Sequence, residues 1–112
     1  MLEHQLKILN VLSAFYLKLG DAPRALALIA VAAEAAPHDA AVTEMLIRCQ
    51  LAVGQADAAL NRLDWLATRH PDRRTDKTFQ VLKSRALWMA GRKAEARQLH
   101  ARAIDGGPVA AS

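Results

Sequence analysis

Three glycines set the frame for this chain. Gly20, Gly54 and Gly91 are each followed five residues later by alanine (Ala25, Ala59, Ala96) and 17 residues later by proline (Pro37, Pro71, Pro108). Three landmarks recurring three times in one register identify an internal repeat, which takes precedence over any element-by-element reading. The first two glycines are 34 residues apart and the next two 37 apart. Three residues are therefore inserted in the last interval, most simply in the stretch Asp72–Asp76.

Each landmark has a physical task in a helix-turn-helix unit. Glycine suits the point where a helix ends and the chain reverses, because the left-handed conformation needed there carries no Cβ penalty. Alanine early in the next helix lets two helices cross closely. Proline closes that helix because it has no N–H to give to the ladder. Asp21 can cap the helix after Gly20, with Pro23 in its tolerant first turn, and Asp39 can cap the helix after Pro37. The pattern predicts six helices over about 3–19, 22–36, 39–53, 56–70, 75–90 and 93–105. The fold class is therefore all-α, three tandem helical hairpins in a single domain over 1–105 (repeats about 3–37, 39–71 and 75–105). The tail 106–112 is predicted to be frayed. Leu9, Leu12 and Tyr16 fall on one stripe, as do Met45, Leu46 and Cys49.

Composition agrees with helices and narrows the function classes. Apolar residues make up 53% and aromatics 4%, so the apolar share comes mostly from Ala and Leu, both strong helix formers. The longest apolar run, Ala25 to Ala33, has nine residues, whereas a membrane span needs roughly 20; no direct membrane insertion is expected. The first residues carry no basic segment leading into an apolar one, so no secretory signal is expected. Cys49 is the single cysteine and has no internal disulfide partner, which suits a reducing cytosol.

The formal net charge is +4, which raises nucleic acid, an acidic membrane surface or an acidic polypeptide as partners. The densest basic cluster is Arg69, Arg73, Arg74 and Lys77 around Pro71, which reads first as a solvated loop. Basic residues are not interleaved with aromatic stacking platforms, which argues against nucleic acid. His4, His38, His70 and His100 are far apart and lack a metal-ligand spacing. His38 and His70 flank repeat-ending prolines and read as loop residues. Cys49 lies on a buried stripe without a His partner and reads as a core thiol. Trp65, in a second helix, reads as packing. No catalytic residue, metal or cofactor is expected.

The period, the glycine, the small residue and the closing proline resemble the tetratricopeptide (TPR) repeat over nearly the whole chain. Leu12, Ser13 and Tyr16 match its first-helix pattern, and Ile29 and Ala32 its second. Ile47 and Gln50, then Lys83 and Leu87, depart from it. The resemblance implies a curved array whose first helices line a concave, partner-binding side. In that register the groove takes Lys7, Asn10, Ala14, Leu17 and Lys18, then Glu44, Arg48, Leu51 and Ala52, then Val81, Arg85, Trp88 and Met89. Leu17, Leu51, Trp88 and Met89 would form an apolar floor, and Arg48 and Arg85 would meet carboxylates. The alternatives are that Trp88 and Met89 belong to the core and that both arginines make ordinary ion pairs. Of the places where some TPR proteins grip a chaperone's C-terminal carboxylate (Asn10, Ala14, Met45, Thr78, Leu82), only Asn10 fits. With only seven residues after Asp105, no extra polar helix is expected to cover the last repeat, so the Ala-rich faces and the last repeat are expected to need a partner or to self-associate.

A narrower resemblance is to the small Y-type (YscY or SctY) chaperones of bacterial type III secretion systems. It rests on the stretch Leu17 to Ala25, on Trp65-Leu66 leading to His70-Pro71, on Ser84-Arg85-Ala86 with Gly91 and Ala96-Arg97, and on the length. The family implies a bacterial cytoplasmic protein. It would hold a small secreted X-type partner and present it to the export-gate protein of the apparatus. A needle-subunit or translocator chaperone, or a TPR scaffold or regulator outside secretion, remain alternatives.

Overall fold

A computed structural model describes residues 2–104, with side chains through Ala101. It contains six α-helices: α1 (Glu3–Lys18), α2 (Ala22–Ala35), α3 (Ala40–Ala52), α4 (Ala56–Arg69), α5 (Lys77–Met89) and α6 (Lys93–Ile104). No strand occurs among the described residues. The all-α tandem-hairpin architecture is thus as the repeat implies. The predicted tail 106–112 lies outside the described residues.

The three glycine turns are built alike. Gly20, Gly54 and Gly91 have φ of 83°, 85° and 85°. Each donates its N–H to the carbonyl three residues back (Leu17, Leu51, Trp88). The next residue donates to the carbonyl five back: Asp21 to Tyr16, Gln55 to Gln50, Arg92 to Leu87. This double closure satisfies carbonyls that a helix end would otherwise orphan, and it needs a left-handed residue at its centre. The following helices start on named caps where the sequence offers them. Asp21 accepts from the Arg24 N–H at 3.2 Å and Asp39 from the Val42 N–H at 3.0 Å.

The inserted residues do not form an open loop. Pro71–Thr75 wind into a short 3-10 turn, closed by Arg73 N–H to His70 and Asp76 N–H to Arg73 carbonyls. The fifth helix consequently begins at Lys77 and not at 75.

Contacts divide the chain into two compact units, one on each side of the Gln55–Ala56 bond. In the first, α1 packs on α2 and α3, and α2 packs on α3. Its core is Ala25, Ile29, Ala32, Val42, Leu46 and Cys49, flanked by Leu6, Leu9, Tyr16 and Leu17. A fully buried isoleucine such as Ile29 contributes about 1.5–3 kcal/mol. In the second unit, α5 packs on α4 and α6, and the 3-10 turn packs on α4 and α5. Ala59, Leu63, Leu66, Phe79, Leu82 and Ala86 are buried there. The three repeat alanines are all closed off from solvent, with Ala25 and Ala59 at 0% and Ala96 at 2% exposure.

One stripe differs from expectation. Leu9 and Tyr16 pack against the core, but Leu12 between them is exposed, and the buried residue of α1 is Ser13. Ser13 tolerates this because its hydroxyl donates to the Leu9 carbonyl at 2.8 Å.

Candidate partner-binding surfaces

One candidate surface lies between α5 and α6. Ser84, on α5, donates its hydroxyl to the Ala96 carbonyl on α6 at 2.8 Å. This bond, together with the small side chain of Ala96, holds the two helices close. Beyond it opens a cleft of about 320 Å³, lined by Arg85, Trp88 and Met89 on one side and by Arg97 and His100 on the other. Trp88 is 47% exposed and Met89 43%, far more than aromatic or thioether side chains held in a core. The Lys93 ammonium lies 5.3 Å and the Arg97 guanidinium 5.8 Å from the centre of the Trp88 ring. Lys93 and Arg97 are one helical turn apart, so both reach the same ring.

At the start of α6 a further pair is closed on itself. Arg92 and Glu95 meet at 2.7 Å. The hydrogen bond from Arg92 holds the Glu95 carboxyl below its ordinary range, and the same bond raises the Arg92 guanidinium. With Glu95 committed to Arg92, the cleft presents Arg85 and Arg97 around an apolar and aromatic floor, with Lys93 beside the Trp88 ring. Such a surface suits an apolar anchor flanked by a carboxylate.

The first unit carries further hollows between α1 and α3. Leu17, Lys18 and Arg48 line one of about 290 Å³, together with Ala14 and Met45. Asn10 lines another, of about 480 Å³, with Lys7 and Asp39. The Asn10 amide is already engaged there, donating to the Ala41 carbonyl at 3.2 Å. It thus ties the middle of α1 to the start of α3.

The predicted groove residues therefore fall into separate groups. Leu17, Lys18 and Arg48 come together in the first unit, and Arg85, Trp88 and Met89 in the second. Glu44 and Val81 are half-buried on α3 and α5. Leu51 is only 2% exposed and packs as core; the floor position it was expected to share with Leu17 and Trp88 is closed there. The periodic register gives all three the same place before a glycine turn, yet burial differs at each because neighbouring side chains differ. Residues outside the predicted groove also matter. Arg97 and His100 on α6 complete the cleft and Lys93 stands against the Trp88 ring, and only their helical spacing of four and three could have signalled it.

Other residues singled out in the sequence have structural settings. Cys49 is fully buried, and burial pushes its thiol up to about 11, so it stays protonated and unreactive at neutral pH. Trp65 is half-buried, with the Arg69 guanidinium 5.8 Å from its ring and His70 edge-on at 6.4 Å. Among the described residues no His, Cys, Asp or Glu cluster converges to hold a metal ion. None of the described helices is long and apolar enough to cross a membrane.

The tetratricopeptide repeat family profile matches residues 16–77, more than half of the chain. The chain belongs to the tetratricopeptide repeat family. The match runs from the end of α1 through α4 and into the start of α5. The last TPR hairpin, α5 with α6, lies mostly beyond it and is identified by its own glycine turn, its buried Ala96 and its Ser84 tether. A comparison with curated proteins finds no matching sequence. TPR hairpins are in general protein-interaction modules, and the exposed apolar and basic surfaces above are what such a module presents.

Proposed function

We propose that this TPR protein is a cytoplasmic chaperone of a bacterial type III secretion apparatus. It would bind a small secreted X-type partner and pass it to the export-gate protein. A single observation carries the binding part: Trp88 and Met89 stand exposed in a cleft flanked by Arg85 and Arg97, with Lys93 beside the Trp88 ring. A poorly folded export substrate offers amphipathic segments, and an aromatic anchor with cations around it covers the apolar side while meeting flanking carboxylates. The secretion assignment is supported by the resemblance at Trp65-Leu66 and Ser84-Arg85-Ala86. A TPR scaffold outside secretion is the second reading. It is favoured by Leu66 being fully buried and Ser84 bonding to Ala96, because packing alone then accounts for both residues.

The test is titration calorimetry against the small protein that co-purifies with the chain, after circular dichroism has confirmed each variant's fold. Trp88→Ala should weaken binding by about 2 kcal/mol or more, as truncation of a central aromatic anchor does. Arg48→Ala should cost under about 1 kcal/mol, as an exposed ion pair does, and salt should have a modest effect. Unchanged affinity in a folded Trp88→Ala variant would remove the cleft from the mechanism. A co-purifying partner unrelated to a secretion apparatus would favour the scaffold reading.

A further inference from the structure

α1 carries two apolar faces. Leu6, Leu9, Tyr16 and Leu17 turn toward the core of the first unit. On the other side, Ile8, Val11, Leu12, Phe15 and Leu19 are all exposed, Val11 the most at 67%. Ile8, Leu12, Phe15 and Leu19 are spaced by four, three and four residues, which is the seam spacing of one helix packed along another. Five large apolar side chains exposed together along one helix are more than the singly scattered ones a surface ordinarily carries. A hollow of about 260 Å³ interrupts the ridge between Ile8, Val11 and Leu12, and Lys7 stands at its rim.

Charge decides what fits this ridge. Lys7 and Lys18 border it along one edge, and beyond Lys18 the α1–α3 hollow adds Arg48. A second copy of the chain laid antiparallel would set Lys7 of each copy alongside Lys18 of the other. Laid parallel about a two-fold axis, it would set the lysine edge of each copy against the opposite edge of the other, where Gln5, Leu12 and Tyr16 lie. The antiparallel arrangement brings like charges together across a low-dielectric seam, the parallel one leaves the lysines facing uncharged α1 side chains, and each copy has a net charge of +4. An occupant with carboxylates along that edge meets the same lysines favourably.

We propose that the outward face of α1 is a docking surface for an amphipathic helix of a partner polypeptide, apolar along one stripe and acidic along the adjoining edge. One apolar side chain of that helix enters the hollow beside Lys7, and its acidic edge runs along Lys7, Lys18 and Arg48. The surface belongs to the first unit and the Trp88 cleft to the second, so each is tested without the other.

The probe is a labelled synthetic peptide of roughly 20 residues, long enough to form a helix on binding. It carries leucines at four-three-four spacing and glutamates along one edge; a control peptide carries lysines in place of the glutamates. Fluorescence anisotropy with the full chain should show the glutamate peptide binding at least about tenfold more tightly, a gap that salt narrows. Ile8→Gln with Phe15→Gln should weaken the glutamate peptide at least about tenfold. Lys7→Glu with Lys18→Glu should invert the preference, and Trp88→Ala should leave it unchanged. If the double glutamine variant does not fold, Val11→Gln replaces it. Equal binding of the two peptides, binding of neither, or full binding by the folded glutamine variant overturns the proposal. So does a wild-type dimer in light scattering that Ile8→Gln with Phe15→Gln dissociates, because a second copy would then be the occupant.

Discussion

Gly20→Ala isolates the backbone cost of a TPR turn. Gly20 has φ of +83°, and a Cβ built there meets no atom within 4 Å. Steric crowding by neighbours therefore contributes nothing, and the penalty is that of placing an L side chain in the left-handed region, about 1–2 kcal/mol. Alanine also restricts the unfolded chain, which offsets about 0.4–1 kcal/mol where the native conformation is compatible. Here it is not, so a net loss of about 1 kcal/mol is expected, or a drop of about 4–8 °C in Tm for a domain near this size. Asparagine enters the left-handed region more readily, so Gly20→Asn should lose less than Gly20→Ala. Gly91→Ala should resemble Gly20→Ala, because its φ of +85° and empty surroundings are the same. The assay is urea unfolding followed by circular dichroism, with m-values compared to confirm a common unfolded state. An asparagine variant no better than alanine, or a loss above about 3 kcal/mol, would falsify the backbone account, since both point to side-chain contacts.

Ala59→Leu adds bulk at a site with 0% exposure and should cost about 1–3 kcal/mol by overpacking, measured in the same urea titration; an unchanged midpoint would refute the close crossing. Asp39→Ala removes the acceptor for the Val42 N–H and should cost about 1 kcal/mol, with Asp39→Asn retaining most of that stability. Cys49, buried and with its thiol pushed up to about 11, should react slowly with a thiol reagent at pH 8 and rapidly in denaturant; fast reaction in the native state would place it on the surface.

How far the fold could be read in advance differs between the turns and the surfaces. The glycine turns, the Asp21 and Asp39 caps and the buried alanines are local: each depends on the conformational allowance or side-chain length of one residue and its near neighbours. These were legible from Gly20, Gly54, Gly91 and the residues that follow them. The 3-10 turn at Pro71–Thr75 was legible as an insertion but not as a helix, because Pro, Asp and Arg also suit an open loop.

The candidate surfaces were decided by packing. Leu17, Leu51 and Trp88 hold one register position, yet Leu51 is buried while Trp88 stands 47% exposed. A repeat fixes the direction in which a side chain leaves its helix, and only the surrounding side chains determine whether water reaches it. The same limit applies to α1, whose sequence is apolar on two faces. Periodicity marks Leu12 as readily as Leu9 or Tyr16, but α2 and α3 occupy one face and leave Ile8, Leu12, Phe15 and Leu19 on the other. By itself, then, the sequence determined an all-α chain of TPR hairpins, because turn and cap preferences act within a few residues. The tertiary structure decided which apolar residues remain exposed beside Lys7, Lys18, Arg85, Lys93 and Arg97, because burial depends on neighbours that are distant in the chain.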